Sequence, residues 1–224
     1  MARILGIETS SGLCSAAVLV DGDLYEDTRK MERLHNEYVL ELIDRVMQRA
    51  GIAPALLDGV AFGCGPGSFT GVRIAASVAQ GIAFGGNACV LPVASTLALA
   101  DAAGVAESDA VSGVIPIIRS RRDAYYFASF EALEGRLVPN REVRLFDAVP
   151  DWQELDDPGW HLAGPLPTWL GDSVPPDRCH PDAATDGSTV AHLGLAAFQR
   201  GEGQPPEFGL PTYVEGDSPW RASR

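Results

Sequence analysis

Residues 57–84 read LDGVAFGCGPGSFTGVRIAASVAQGIAF, and this stretch decides the fold of the chain. It predicts a buried strand over Val60–Phe62, a tight glycine loop over Gly63–Gly67 and a helix that begins after Ser68. The Ser68 hydroxyl can accept a hydrogen bond from a free N–H of the first helical turn. Apolar and small residues then recur at helical spacing, at Val72, Ala75, Ala76, Ala79 and Ala83. The stretch thus predicts a strand–loop–helix unit of an α/β protein.

The glycine loop lies at a predicted helix N-terminus, where an anion can bind. A phosphate loop needs Lys directly after its second glycine, but Val72 follows Gly71 in this chain. A dinucleotide fingerprint that starts at Gly65 needs a further glycine where Thr70 stands, and the next strand, residues 91–95, ends without an acidic residue. The pattern therefore favours a strand-to-helix joint over a phosphate cradle.

The composition limits the classes of protein to which the chain can belong. Its 224 residues suffice for one large domain or two small ones. No run reaches the roughly 18 apolar residues of a membrane span, and the N-terminal residues enter a strand at once, so we expect neither a membrane helix nor a signal peptide. Cys14, Cys64, Cys89 and Cys179 form no Cys-x-x-Cys pair, which favours reduced thiols in the cytoplasm. The net charge of −13 argues against direct nucleic-acid binding.

The first thirty residues predict three short strands, over residues 3–8, 14–20 and 24–29, with a polar turn after the first. A strand, a Thr/Ser turn and a hairpin resemble the start of an actin-like domain. In that superfamily the turn contacts ATP phosphates, and an acidic residue of the first strand orders the metal. Those places are held here by Glu8, Thr9 and Ser10. The alternative is a plain hairpin turn with a surface carboxylate.

Two predicted helices carry apolar or small residues on more than one side. The first spans residues 32–50, and its core stripe consists of Val39, Leu42, Ile43, Val46, Met47 and Ala50. Leu34, Tyr38 and Leu40 lie off that stripe. The second helix follows Ser68 and is rich in small residues, which let another helix approach closely. Both helices either pack on their own sheet alone or also form a surface for association.

A second strand–turn–strand pattern begins after residue 110 and predicts a repeated half. Its strands are predicted at residues 114–118, 124–130, 136–145 and 161–164, and a helix is predicted at 190–200. Between residues 147 and 189 the periodicity is weak, and Trp152, Trp160 and Trp169 are interpreted as local core. We predict an N-terminal lobe with the two helices at residues 1–108 and a smaller, more divergent lobe at 109–224.

Three segments carry a family resemblance: ILGIETSSGLCSAAV at residues 4–18, HNE at 35–37 and GPGSFTGVRI at 65–74. They closely resemble the TsaB (YeaZ) family, and the ending Pro-Thr-Tyr-Val at 211–214 with Trp220-Arg221 is similar as well. The resemblance is strong over about residues 3–100 and weakest at 135–190. It implies an α/β, actin-like (ASKHA, ribonuclease H-like) fold with two related lobes.

The resemblance also implies a function. Members of this family are non-catalytic accessory subunits in the formation of threonylcarbamoyladenosine beside the anticodon of tRNAs that read codons starting with A. The implied partners are TsaD, the catalytic paralogue that binds nucleotide and metal, and TsaE, an ATPase. The two N-terminal-lobe helices of the family bundle with those of TsaD, or with a second copy in a homodimer.

This implied bundle predicts a set of partner-interface residues. They are Leu34, His35, Tyr38, Leu42, Arg45, Phe69, Val72, Arg73, Ala76 and Gln80. No firmly bound cofactor is implied, and ATP or ADP is a candidate ligand at the complex interface. The residues that would face such a nucleotide are Glu8, Thr9, Ser10, Gly65, Gly67 and Ser68.

The metal motif of TsaD-like relatives is replaced in this sequence. Those relatives carry His-x-x-x-His after the matching strand, whereas Ser95 and Leu99 stand here, and neither can replace an imidazole. The histidines (His35, His161, His180, His192) show no ligand spacing, and the neighbours Cys179 and His180 are interpreted as incidental. We therefore predict no metal and no catalytic residue.

Two other functions remain as alternatives. The first is an actin-like ATP-binding phosphotransferase, which the Glu8-Thr-Ser turn and the glycine loop would support as two phosphate-facing loops. The second and more distant alternative is a glycoprotease-like metallopeptidase. It lacks the metal pair or activated nucleophile that its chemistry requires.

Overall fold

The computed structural model describes residues 2–30, 35–120, 123–171 and 173–214. The chain divides into two compact units: unit 1 comprises Met1–Ala98 and Thr185–Pro211, and unit 2 comprises Leu99–Ala184 and Thr212–Arg224. This division differs from the predicted lobes at 1–108 and 109–224, because Thr185–Pro211 returns to the first unit. None of the described helices is long and apolar enough to span a bilayer.

Unit 1 contains a mixed sheet of five strands in the order β3-β2-β1-β4-β5. The strands are β1 (Ile4–Glu8), β2 (Leu13–Val20), β3 (Asp23–Lys30), β4 (Gly59–Gly65) and β5 (Cys89–Ala94). The first three strands pair antiparallel, whereas β4 pairs parallel with both β1 and β5. Every residue of β1 and β4 is buried, which is typical of central strands covered on both faces.

Three helices cover the two faces of this sheet. They are α1 (His35–Ala50), α2 (Phe69–Gly86) and α4 (Gly187–Gln199), and the described residues form one further α-helix, α3 (Ser95–Asp101). One core joins α1 and α2 to alternate strand residues such as Leu5 and Phe62, and a second core joins α4 to their neighbours Ile4 and Ala61. The predicted helix at 32–50 is confirmed from His35 onward, and residues 31–34, including Leu34, lie outside the described residues.

The helix α4 joins unit 1 although it follows the whole of unit 2 in the chain. Its Asp186 N-cap accepts a hydrogen bond from the Thr189 N–H at 2.8 Å. The Gly187 N–H donates to the Ser15 hydroxyl on β2, also at 2.8 Å. These contacts and the apolar face around Val190 fix α4 on the sheet of unit 1.

The segment after α4, residues 201–211, runs along the edge strand β5 and is called the C-terminal strap below. Val90 and Gln204 exchange two backbone hydrogen bonds, each of 2.9 Å. A short turn of 3-10 helix, Pro206–Phe208, then packs against α2 and β5. The strap therefore covers the edge of the sheet, which otherwise would be open to pairing with another strand.

Unit 2 contains a second five-stranded sheet, in the order β10-β9-β6-β7-β8. Its strands are β6 (Gly113–Arg119), β7 (Tyr125–Leu133), β8 (Arg136–Phe146), β9 (Trp160–Ala163) and β10 (Cys179–His180). The first three pair antiparallel, and β9 pairs parallel with β6 and β10. Counted from the first strand of each unit, both sheets have the order 3-2-1-4-5, which confirms the predicted repeated half.

The second sheet is covered by irregular chain instead of long helices. Residues 147–159 and 164–178 connect its strands, and their helical content within the described part is confined to short 3-10 turns. The core contains an aromatic cluster of Tyr125, Phe127, Phe146, Trp152 and Trp169. The prediction that the tryptophans form local core is confirmed, since Trp152, Trp160 and Trp169 all pack in this unit.

Candidate functional site

The carboxyl group of Glu8 lies at the end of β1 and is completely buried. One of its oxygens, Oε1, accepts a hydrogen bond from the Ser10 N–H, and Oε2 has no hydrogen-bond partner. Burial raises the pKa of Glu8 to about 7, against hydrogen bonds from Ser10 that lower it, and the nearby Asp186 charge raises it further. The alternative of a turn with a surface carboxylate is therefore wrong.

The turn after Glu8 packs directly on the glycine loop between β4 and α2. The Thr9 hydroxyl donates to the Gly71 carbonyl at 2.8 Å, and the Ser68 N–H donates to the Ser10 carbonyl at 2.7 Å. As predicted, Ser68 is the N-cap of α2, because its hydroxyl accepts from the Gly71 N–H at 3.3 Å. These bonds tie the two loops that were expected to face a nucleotide to each other.

Glycine is required where the two loops touch. A Cβ on Gly71 would lie 1.9 Å from the Thr9 carbonyl oxygen, and one on Gly67 would lie 2.6 Å from the Ser10 carbonyl oxygen. Backbone atoms at such distances exclude any side chain. The strand-to-helix joint is thus confirmed, with a packing role for its glycines. The nucleotide-facing assignment of Glu8, Thr9, Ser10, Gly65, Gly67 and Ser68 stays a prediction.

The two positions that carry histidine in TsaD-like relatives have structural roles here. The Ser95 hydroxyl accepts a hydrogen bond from the Gly65 N–H at 3.1 Å and lies 3.2 Å from the Ser10 hydroxyl. Leu99 is buried. Within the described ranges, no three His, Cys, Asp or Glu side chains are grouped closely enough to hold a metal ion.

Two of the histidines do meet, which the sequence spacing did not indicate. His161 Nδ1 and His180 Nε2 are 2.9 Å apart and form a hydrogen bond between stacked rings. They are adjacent because β10, only two residues long, pairs with β9. The pKa of His161 is lowered by burial and by the neighbouring His180 and Arg178. The interpretation of His180 as incidental to ligand binding stays a prediction, and the contact itself could not be found without knowing that β9 and β10 pair.

The helices α1 and α2 expose only part of the predicted partner interface. His35, Leu42, Val72 and Ala76 are buried and their side chains pack within unit 1, and the interface assignment as a whole stays a prediction. Tyr38, Arg73 and Gln80 are half-buried, and Arg45 and Phe69 are exposed. A helix next to a sheet must bury one stripe, and the sequence did not show which of two stripes on α2 that was.

The exposed sides of α1 and α2 form a groove of about 360 Å³. It is lined by Asn36, Val39, Leu40, Phe69, Thr70, Arg73, Ile74, Ser77 and Val78. The Arg73 guanidinium lies 3.3 Å above the Phe69 ring and donates to the Phe69 carbonyl at 3.0 Å. Leu40, which is 59% exposed, was missing from the predicted interface although its position off the core stripe was the signal. We call this surface the helix-pair groove.

Beside the groove, Arg45 of α1 belongs to a network of ion pairs on the surface of unit 1. It pairs with Glu41 one turn earlier and with Asp27 of β3, at 3.3 Å, and Arg29 pairs with Glu41 at 3.2 Å. Arg29 also lies 5.0 Å from the centre of the Tyr38 ring. Arg45 and Tyr38 are therefore engaged within the unit, Phe69 is partly covered by Arg73, and Leu40 offers apolar surface.

Comparison with known proteins gives the following matches. The model of the family described as TsaD, tRNA N6-adenosine threonylcarbamoyltransferase, matches residues 29–159. The tRNA threonylcarbamoyladenosine biosynthesis protein TsaB of Haemophilus influenzae is 37% identical over 153 residues, which cover 68% of this chain and 61% of that protein. The Escherichia coli protein of the same name is 30% identical over 63% of this chain and 60% of its own length. The chain thus spans about three fifths of the length of these relatives.

A solved structure extends the likeness. The structure described as YeaZ from Pseudomonas aeruginosa superposes with a TM-score of 0.81 at 29% sequence identity, covering 96% of this chain and 100% of that chain. The match includes both five-stranded sheets, so the actin-like fold with two related units is confirmed.

Proposed function

The chain belongs to the TsaB (YeaZ) family, and on this premise we propose that it is an accessory subunit in the formation of threonylcarbamoyladenosine on tRNA. In this proposal the chain binds a TsaD-like partner, which carries out the transfer, and acts together with the ATPase TsaE. The chain supplies a docking surface and no reacting group.

The helix-pair groove is the observation that carries the proposal. It leaves Leu40 59% exposed and Phe69, beside Arg73, 39% exposed on two helices whose other sides are packed in the core. Asn36, Arg73 and Ser77 supply polar groups at its border. An apolar surface with a polar rim is typical of a protein-binding site.

Two features support a non-catalytic role. The hydroxyl of Ser95 is engaged with the backbone of the glycine loop, and Leu99 is an apolar residue of the core. These positions offer none of the imidazole, thiolate or carboxylate ligands that a catalytic metal requires. Transfer chemistry that depends on such a metal is therefore assigned to the partner.

A nucleotide is assigned to the complex and not to unit 1 by itself. The loops that would contact its phosphates are hydrogen-bonded to each other through Thr9, Ser10, Ser68 and Gly71. ATP or ADP would have to break these bonds to enter between the loops. We therefore expect no measurable heat when ATP is added to the chain alone.

The proposal is tested by mass spectrometry of tRNA after reconstitution with TsaD, TsaE, ATP and a source of the threonylcarbamoyl group. We expect threonylcarbamoyladenosine only when the chain is present. Leu40→Glu should strongly reduce product, because it places a charge in the groove. Leu133→Glu is the matched control, since Leu133 is similarly exposed, at 51%, but lies in unit 2. Equal product without the chain would reject the function.

A further inference from the structure

One face of α2 points away from the sheet along the entire helix. Phe69, Arg73, Ser77, Gln80 and Phe84 recur at intervals of three or four residues and share this face. Phe69, at its start, is 39% exposed, and Phe84, near its end, is 61% exposed. The helix-pair groove uses only the first half of this stripe.

The second half of the stripe meets the C-terminal strap. Gly209 of the strap lies next to the Gln80 side chain, since a Cβ added to Gly209 would be 3.4 Å from it. Phe208 and Leu210 are each 60% exposed. Together with Leu40 and Phe84 they are the four most exposed large apolar side chains of the described residues. All four lie on α1, α2 or the strap.

A cavity of about 390 Å³ lies between the end of α2 and the strap. Phe84, Asn87, Cys89, Pro205 and Pro206 contribute to its lining, and none of the described residues that line it is charged. The lining is neutral although the whole chain carries a net charge of −13, and the exposed Glu202 and Glu207 of the strap stand outside the lining. A protein surface that avoids charge in this way fits an apolar partner surface.

We propose that the partner-binding surface runs the full length of α2 and ends on the C-terminal strap. Phe84, Phe208 and Leu210 then contact the same TsaD-like subunit that covers Leu40 in the helix-pair groove. This inference rests on the proposed function and extends its docking surface to residues that lie outside the helix pair.

The size of the surface favours one partner over both halves. A stable interface takes about 800 Å² and 20–30 residues from each side, which the nine residues of the helix-pair groove do not supply alone. The 18 residues of α2 span about 27 Å. A partner helix that crosses α2 at about 20° stays in contact over most of that length and reaches the strap.

The test compares affinities for the host's TsaD by isothermal titration calorimetry with the full chain. We expect the double variant Phe208→Ser with Leu210→Ser to raise the Kd about tenfold or more, the loss typical of buried apolar anchors. Leu40→Ser should weaken binding similarly, and Leu133→Ser in unit 2 should leave the Kd unchanged. Circular dichroism establishes that each variant is folded, and Phe84→Ser replaces the double variant if the strap detaches.

The outcomes separate this inference from the function on which it rests. Normal binding by the strap variants, with weakened binding by Leu40→Ser, overturns the inference and leaves the accessory role intact. The inference is also overturned if the strap variants abolish self-association of the chain but leave the Kd for TsaD unchanged, since a second copy of the chain would then be the occupant. No complex of the unmodified chain with TsaD rejects both.

Discussion

The two sheets have the same strand order but are covered in different ways. In unit 1 the connection from the third to the fourth strand holds α1, and the next connection holds α2. The corresponding connections of unit 2, residues 147–159 and 164–178, contain only 3-10 turns in their described parts. The same pairing of strands thus tolerates helices in one unit and irregular chain in the other.

The difference follows from the side chains that each connection supplies. The buried face of α2 consists of Gly71, Val72, Ala75, Ala76, Ala79 and Ala83, so the helix axis lies close to the sheet. In unit 2 prolines interrupt the connections, at positions such as Pro165, Pro167 and Pro175, and exclude long helices. Large aromatic side chains fill the space there that helices fill in unit 1.

The largest expected effect comes from removing the centre of the aromatic cluster. Phe127 is completely buried and contacts the rings of Phe146, Trp152 and Trp169. Phe127→Ala should cost about 4 kcal/mol of unfolding free energy, because it leaves a cavity that irregular chain cannot fill. Urea unfolding followed by tryptophan fluorescence measures the loss, since the described tryptophans lie in unit 2.

The same experiment asks whether the two units unfold together. The long helices belong to unit 1, so far-ultraviolet circular dichroism follows that unit, while fluorescence follows unit 2. We expect Phe127→Ala to lower the fluorescence midpoint more than the circular dichroism midpoint. An equal shift of both midpoints would mean that the differently covered units form one cooperative unit.

The second effect concerns the close packing of unit 1. Gly71→Ala places a Cβ 1.9 Å from the Thr9 carbonyl oxygen and should cost about 3 kcal/mol, because the backbone must move. Gly85→Ala is the matched control in the same helix, where a Cβ meets no neighbouring atom within 4 Å. The control should be neutral or stabilise by up to about 1 kcal/mol in urea unfolding. A harmless Gly71→Ala would contradict the direct packing of the two loops.

The third effect depends on pH and is confined to unit 1. The folded-state pKa of Glu8, about 7, exceeds its ordinary value of 4.5, so its stabilising contribution is present below pH 4.5 and is lost as the pH rises through 7. Glu8→Gln removes this loss. The unfolding free energy of the variant minus that of the unmodified chain should therefore be on the order of 2 kcal/mol higher at pH 8 than at pH 4.5. The counterpart strand β6 ends in the exposed Arg119 and has no such buried acid.

Denaturant midpoints of both proteins at the two pH values provide the measurement for Glu8. Any pH-independent cost of the amide cancels when the two pH values are compared. An identical difference between the two proteins at both pH values would show that Glu8 titrates at its ordinary pKa, contrary to its complete burial.

The smallest effect concerns how the irregular chain of unit 2 is held. The buried Arg178 guanidinium donates to the carbonyls of Trp160 at 2.7 Å and Leu155 at 3.1 Å. Arg178→Lys should cost about 1.5 kcal/mol, because one ammonium group cannot reach both carbonyls in this geometry. Fluorescence-detected urea unfolding measures it, and an unchanged midpoint would mean that the aromatic cluster alone holds these connections.

The sequence predicted unit 1 better than unit 2, and the reason is periodicity. The stripe from Val39 to Met47 and the apolar run at Val60–Phe62 specify a helix and a central strand with little ambiguity. The strand β10 has only two residues and therefore no period to detect. The return of α4 to unit 1 depends on a contact between Ser15 and Gly187, which local patterns cannot reveal.

The candidate site was also predicted only in part, because local sequence patterns do not show long-range packing. The loop at Glu8–Ser10 and the glycine loop were identified as two phosphate-facing loops, and the structure shows that they contact each other. Their burial was not predicted, because it results from packing between residues more than fifty positions apart. On α2 the residues Val72 and Ala76 were assigned to a partner, since the sequence shows two usable stripes and not which one the sheet occupies.

The position of α4 has a consequence for synthesis of the chain on the ribosome. The sheet of unit 1 is complete at Ala94, but the helix that covers its second face begins only at Gly187. At 5–20 residues per second, roughly 5–20 s pass between the two during translation. In that interval one face of the first-made sheet is exposed, while the continuous segment of unit 2, Leu99–Ala184, can already fold. The nascent chain is therefore most open to chaperones and to misassociation until the last helix leaves the ribosomal tunnel.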